Sequence, residues 1–329
     1  MRDGGWPAKL ARSPVRPERV AMSWMKKHRR IAFAAIAVAG LAVAFLCYGY
    51  WEAGQIRVVE QEVFFDDLPA AFDGFRIVQL ADLHVRDYGR VERRLHRILE
   101  RVPADLLVVV GDFKSEVSAP DEPILDALAR LFGSVDYPWG RLACSGNHDS
   151  PDFLAQLPSR LGFTRLCRSS IVLERGGDSL AFLGVATLRP LDGGRGINEI
   201  EESTWVGNVA LRIAPHGLLP DSNALPLACA RLNDGKLFRI LLAHTPEFVP
   251  RAGQAGIQLV LAGDTHGGQV RLPLIGPLWT KSRLHRRYCR GLGSYGSAQI
   301  CVTPGTGTLG VPIRFLCPPE VTVLTLRRR

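Results

Sequence analysis

No two of the seven cysteines, Cys47, Cys144, Cys167, Cys229, Cys289, Cys301 and Cys317, stand at Cys-x-x-Cys spacing, and no zinc-ribbon pattern occurs. That argues against a thiolate-bound structural zinc. The scattered cysteines read as small buried hydrophobes, with one disulfide among the late ones allowed in an oxidising compartment. Internal repeats and low-complexity tracts are absent, which argues against a solenoid or a biased-composition tail. No aromatic-plus-basic binding motif occurs either, so no nucleic-acid partner is expected. The balance of 41 Lys+Arg against 32 Asp+Glu gives +9, but much of the excess lies in the first thirty residues and in Arg327, Arg328 and Arg329. Net charge therefore says little about a substrate.

What the chain does have is ordinary globular composition, 47% hydrophobic and 22% charged over 329 residues, which fits one large domain with an appendage. The appendage is the run Ile31 to Tyr50, IAFAAIAVAGLAVAFLCYGY, which carries no charge. It has about the length an α-helix needs to cross ~30 Å of hydrocarbon. A removed signal peptide is the competing reading, with Lys26, Lys27, Arg29 and Arg30 as its basic flank. Cations crowd the N-terminal side of the run, while Glu52, Glu60, Glu62, Asp66 and Asp67 follow it. The positive-inside rule then places the N-terminus in the cytoplasm and the following domain outside. The expected organisation is a basic cytoplasmic tail at 1–30, with no structure in Met1 to Ser23, a single-pass membrane helix at 31–50, a membrane-proximal linker at 51–70 and a catalytic domain at 71–329.

Within that domain one pattern recurs: an apolar strand-like run, a loop carrying Asp, Asn or His, and usually an amphipathic helix. Phe75 to Leu80 leads to Asp82 and His84, then to a helix near Arg90 to Val102. Leu106 to Val110 leads to Gly111-Asp112 and a helix near Pro123 to Phe132. Arg141 to Cys144 leads to Gly146-Asn-His-Asp149 and a helix near Asp152 to Leu161. Further runs at Leu180 to Val185, Phe238 to Ala243 and Ile257 to Ala262 complete the series, the last two ending at His244 and at Asp264 and His266. Alternation of this kind predicts a layered α/β/α sandwich with buried sheets, in which ligands gather beyond the carboxyl ends of strands. The Gly- and Pro-containing segment from Leu188 to Asn233 reads as a cap over the site.

A single His after a strand is most often structural. Here four of the eight His residues share this topological place with several carboxylates, which points to a site. Imidazole, carboxylate and amide oxygen together suit divalent Mn²⁺, Zn²⁺ or Fe²⁺. Two such ions sharing a carboxylate lower the pKa of a water between them and clamp a phosphoryl group in displacement.

Through Asp82-x-His84, Gly111-Asp112, Gly146-Asn-His-Asp149, His244 and Gly263-x-Thr-His-Gly-Gly-Gln269, the chain from about Phe72 onward resembles the calcineurin-like metallophosphoesterases. The resemblance implies that Asp82, His84 and His266 hold one metal, that Asp112 bridges, and that Asn147 and His244 hold the second. It implies that His148 protonates the leaving oxygen or donates a hydrogen bond in the transition state. Asp149 either orients His148 or stabilises its own turn. The ending Gly305-Thr-Gly-Thr-Leu-Gly-Val-Pro-Ile-Arg314-Phe is similar to a membrane-associated subgroup. That subgroup includes exported phosphodiesterases and the chlamydial type of UDP-2,3-diacylglucosamine pyrophosphatase. Arg314 is expected either to reach a substrate phosphate or to pair with an acid such as Glu320.

One position departs from the family pattern. Asp264 stands where the last motif normally has its first His, a ligand of the second metal. A third carboxylate against two dications leaves a charge of about +1 and favours Mn²⁺ or Mg²⁺ over Zn²⁺. The expected partner is a phosphorylated small molecule or a lipid-linked phosphate. The alternatives are the lipid A pyrophosphatase, whose UDP-linked substrate is cytoplasmic, and a membrane-tethered binding module with a weakened metal site.

Overall fold

The computed structural model describes residues 17–167, 169–185, 237–280 and 282–329, with side chains from residue 28 onward. The expected cap at Leu188 to Asn233 lies outside the described residues. The chain divides into two compact units, Met1–Tyr48 and Gly49–Arg329.

Helix α1, Pro17–Glu52, contains the expected apolar run. It begins inside the stretch read as unstructured, with Pro17 at its first position, where a missing N–H costs no helical bond. Its segment His28–Glu52 is long and apolar enough to cross a membrane, with mean hydropathy 2.4 in its most apolar window and none of that window buried.

In the second unit, two six-stranded mixed sheets carry the fold. The first contains β1 (Arg57–Phe65), β2 (Arg76–Leu80), β3 (Leu106–Val110), β4 (Arg141–Cys144), β5 (Phe163–Arg165) and β14 (Glu320–Arg328), in the order β1-β14-β2-β3-β4-β5. The second contains β6 (Ser169–Arg175), β7 (Asp178–Gly184), β8 (Phe238–Leu242), β9 (Leu259–Ala262), β12 (Gly291–Tyr295) and β13 (Ala298–Val302), in the order β12-β13-β9-β8-β7-β6. A hairpin of β10 (Arg271–Leu272) and β11 (Gly276–Pro277) stands apart. Side chains alternate across each strand. Leu106, Val108 and Val110 of β3 therefore face a core shared with Phe182, Ile240 and Leu261 of the second sheet. Leu107 and Val109 pack the other way, against Leu95, Leu128 and Leu157 of helices α2 (Arg90–Leu99), α3 (Asp121–Phe132) and α4 (Pro151–Leu161). A third core covers the outer face of the second sheet, where Leu241 and Val260 meet Phe248 and Val249. Residues buried on both faces explain why β3 reads Leu-Leu-Val-Val-Val rather than alternating.

Helix α4 shows how sequence sets the boundaries. Ser150 caps it by accepting the Phe153 N–H, Pro151 opens it, and Gly162 ends it at φ 69°. Part of the stretch expected as a linker is a strand: β1 pairs in parallel with β14 from Arg57↔Glu320 to Phe65↔Arg328. Its acidic residues at alternate positions face outward while Val63 and Phe65 are buried. The partner that stabilises it lies at the opposite end of the chain, so local pattern gave no signal. The six described cysteines are free thiols.

Candidate metal centre

The parallel strands β2, β3 and β4 of the first sheet and β8 and β9 of the second each end in a loop that carries candidate ligands. Asp82 and His84 follow β2, Asp112 follows β3, Asn147 and His148 follow β4, His244 follows β8, and Asp264 and His266 follow β9. The two sheets are tied nearby by the buried Gln79 amide, which donates to the carbonyls of Ala262 at 2.9 Å and Cys301 at 3.2 Å.

Five of these side chains project from left-handed backbone: Asp82 (φ 49°), His84 (φ 45°), Asp112 (φ 56°), Asp264 (φ 66°) and His266 (φ 49°). A non-glycine residue held there costs about 1–3 kcal/mol. The neighbouring loops hold the strain in place by continuing the ladder past the strand ends. Asp82 N–H donates to Gly111 O at 3.1 Å, His84 N–H to Asp112 O at 3.0 Å and Gly263 N–H to His244 O at 2.8 Å. Gly111, at φ 85°, leaves room that a Cβ would take from the backbone of Gly146. A Cβ on Gly146 would overlap the Asp112 carboxylate.

Three imidazoles are latched the same way. The Nδ1 of His84 meets Lys114 O at 3.1 Å, that of His148 meets Ser115 O at 2.8 Å, and that of His244 meets Val110 O at 2.9 Å. A proton on each Nδ1 leaves Nε2 as the acceptor or metal donor. The carboxylates are fixed by amides. Asp112 Oδ1 accepts from His148 N–H at 2.8 Å, and Asp82 Oδ2 accepts from Asp264 N–H at 2.9 Å.

The remaining donor atoms converge. Asp112 Oδ2, fully buried, lies 3.5 Å from His84 Nε2 and 3.4 Å from His244 Nε2. On one side of it, His84 Nε2 is 3.2 Å from His266 Nε2, which is 3.7 Å from Asp82 Oδ1. On the other, His244 Nε2 is 3.1 Å from Asn147 Oδ1 and 3.6 Å from Asp264 Oδ1. Atoms bound to one ion at ~2.0–2.2 Å must lie roughly 3.0–3.5 Å from one another. Two imidazole nitrogens facing at 3.2 Å also share at most one proton. The donor set fits two divalent ions, one on each side of Asp112. The groups Asp82–His84–His266, His84–Asp112–His148 and Asp82–Asp112–His244 each bring their donor atoms within 4.8 Å of one another.

Electrostatics agree with that fit. Burial lowers His84 to about 4, against the pull of Asp112, so its ring is neutral as a ligand must be. Burial opposes ionisation of Asp112, but the surrounding His244, His84 and His148 outweigh it and hold its carboxyl well below the usual range. His244 moves the other way: burial works against its charge, yet Asp112, Asp264 and Asp82 raise it well above an ordinary His.

Two expected site residues are placed differently from the ligands. Asp149 is buried, and burial together with Asp112 raises it to about 6. Its Oδ2 accepts from Asp112 N–H and Gly146 N–H, both at 2.9 Å, and its Oδ1 from Phe113 N–H at 2.9 Å and Lys114 N–H at 3.3 Å. Both oxygens therefore clamp the β3 and β4 loops together, while the His148 ring is held by Ser115. Arg314 meets neither expectation. Its guanidinium is fully buried and donates to the carbonyls of Pro304 (2.8 Å), Gly307 (2.6 Å) and Cys317 (3.3 Å), while Glu320 pairs with Arg290 at 2.7 Å. Arg314 holds the 304–317 loop, in which Gly307 N–H donates to Asp82 O at 2.8 Å.

The contributions that sequence reading missed are backbone carbonyls, those of Val110, Lys114 and Ser115. A carbonyl has no residue-type signature, and only the position directly after the Gly111-Asp112 motif hinted at two of them.

The calcineurin-like phosphoesterase family pattern matches residues 75–268. An uncharacterized metallophosphoesterase of Bacillus subtilis, YkuE, is 30% identical over 313 residues, covering 92% of this chain and 99% of that protein. The phosphodiesterase YaeI of Escherichia coli is 26% identical over 92% of this chain and 100% of its own length. A transmembrane protein with metallophosphoesterase domain from Danio rerio is 29% identical over 97% of this chain and 67% of its own length. The matched region contains every loop that meets around Asp112, and the chain belongs to the calcineurin-like phosphoesterase family, as a phosphate ester hydrolase with a candidate two-metal centre.

Proposed function

We propose that the protein is a dinuclear metal-dependent phosphodiesterase acting on a membrane-associated or lipid-linked phosphate. The observation that carries the reading is the buried Oδ2 of Asp112, flanked at 3.5 and 3.4 Å by His84 and His244. On this reading Asp82, His84 and His266 would hold one ion, Asn147, His244 and Asp264 would hold the other, and Asp112 would serve both. When bound, the ions would supply Lewis acidity and a water acidified for attack at phosphorus. On the same reading His148, latched at Nδ1 by Ser115 and beside His84, would act as the imidazolium, taking a second proton at Nε2 from solvent and giving it to the leaving oxygen. The preference for a diester over a monoester rests on the activity named for the Escherichia coli relative.

Membrane attachment through α1, with the N-terminus cytoplasmic, rests on the apolar helix and on the charge asymmetry around it. The Danio rerio relative is likewise named a transmembrane protein. Mn²⁺ is the proposed ion, because Asp264 adds a third carboxylate.

The test is hydrolysis of bis-p-nitrophenyl phosphate by detergent-solubilised full-length protein with and without Mn²⁺. Mn²⁺-dependent turnover that is lost in Asp112→Ala supports the reading. Turnover indifferent to both the metal and that substitution would falsify it.

A further inference from the structure

The β10–β11 hairpin leaves the metal loop directly after Gln269, and it and the residues just after it carry apolar side chains that belong to none of the three cores among the described residues. Leu274, in left-handed backbone at φ 66°, is 108% exposed, and Ile275, Leu278 and Trp279 are 60%, 54% and 67% exposed. Val311, on the adjoining loop, is 58% exposed. The two segments are joined by the Gln269 side chain, which donates to Leu309 O and Val311 O, and by Arg271 N–H to Phe315 O at 2.8 Å. Exposed apolar residues are normal singly, whereas a contiguous group with a tryptophan at its base marks a surface that meets something apolar.

Two further features say what that is. Arg283, Arg286 and Arg287, all exposed, follow within eight residues of Trp279. An apolar tip followed closely in sequence by exposed arginines suits the interfacial zone of an anionic bilayer, with tryptophan at headgroup level and arginines on the phosphates. A soluble acidic protein would satisfy the arginines but leave Leu274 and Ile275 in water. The second feature is position. Arg314, whose neighbour Phe315 bridges Val270, donates its own N–H to Gly49 O at 3.0 Å. Gly49 lies at the end of the uncharged Ile31–Tyr50 run, and Glu52 just beyond accepts from Cys317 N–H at 3.3 Å. The loop beside the apolar hairpin therefore grips the residues at which the chain leaves its membrane-length segment.

We propose that the hairpin tip Leu274–Ile275, with Leu278, Trp279 and the Arg283–Arg287 cluster, is a second membrane contact that inserts into an anionic phospholipid surface beside the exit of the apolar helix. The Arg314 guanidinium reaches His266 O at 3.5 Å, so the same strut that holds the hairpin's neighbour also holds a ligand loop. Seating the hairpin would fix the metal cleft at headgroup depth. The inference rests on α1 lying in a bilayer, but not on the identity of the phosphoester.

The test uses the full-length chain reconstituted in phosphatidylglycerol–phosphatidylcholine vesicles, with Leu274→p-benzoylphenylalanine and, in a second preparation, Leu41→p-benzoylphenylalanine as the anchor control. Irradiation should give phospholipid adducts at both positions. The yield at position 274 should fall about fivefold or more in pure phosphatidylcholine, or with Arg283→Ser, Arg286→Ser and Arg287→Ser combined. A lipid adduct at 41 with none at 274, or a chain-to-chain adduct at 274, overturns the proposal, the latter by making this face a contact between copies. Yield at 274 indifferent to charge overturns the anionic surface. No lipid adduct at 41 overturns the membrane anchor and the proposal with it.

Discussion

Asp149→Asn separates a clamp of the loops from a residue that orients His148. The carboxylate accepts four backbone N–H groups, two on each oxygen. The asparagine amide nitrogen would replace one oxygen and present a donor to two of those donors, either Asp112 with Gly146 or Phe113 with Lys114. Hydrogen bonds to a charged acceptor contribute about 1.5–3 kcal/mol each, and orphaned buried donors add to the loss. Two lost bonds come to about 3–6 kcal/mol. The carboxylate's own burial penalty, visible in its raised pKa, returns some of that, so a net loss of about 3 kcal/mol is expected. For a domain of this size that is a fall in Tm of about 6–12 °C, readable by thermal unfolding of metal-stripped protein in detergent. Metal affinity should fall in parallel, because the Asp112 loop loses its clamp. A Tm change under about 2 °C with full metal content and a thousandfold lower kcat would rule out the clamp and return Asp149 to orienting His148.

Other substitutions have separable signatures. His148→Ala should leave bound metal unchanged and lower kcat by about 10²–10⁴-fold, measured with bis-p-nitrophenyl phosphate beside elemental analysis; loss of metal instead would make His148 a ligand. Asp264→His should shift the preferred ion from Mn²⁺ toward Zn²⁺ in competition binding, since it exchanges a hard anionic donor for a neutral imidazole; an unchanged preference would remove Asp264 from the ion. Gly146→Ala should abolish metal binding, because its Cβ meets the Asp112 carboxylate; wild-type metal content would show that the two loops can part.

The candidate site was legible because its residue types are rare at strand ends and occur in order along the chain. The strands themselves announced their positions by apolar runs such as Leu-Leu-Val-Val-Val. Three things were not legible. The β1–β14 pairing joins residues more than 250 positions apart, and the alternation in β1 is diluted by Gln61 and by the exposed apolar Val58 and Phe64. The histidine latches are carbonyl groups, which every residue has. Arg314 was read, from the resemblance of the chain's ending, as a phosphate contact or a partner of an acid such as Glu320, whereas its fork is saturated by carbonyls of the 304–317 loop that it organises. Left-handed backbone at five candidate ligands was also invisible, since Asp and His tolerate it better than most residues without requiring it, and only the surrounding ladder enforces it.

Whether Asp112 stands between two ions can be read by anomalous scattering from crystals of the full-length protein equilibrated with Mn²⁺. Two peaks about 3.5–4 Å apart are expected, one between Asp82, His84 and His266 and the other between Asn147, His244 and Asp264, with Asp112 Oδ2 in contact with both. A single peak, or a pair that Asp112 does not bridge, would overturn the two-ion assignment.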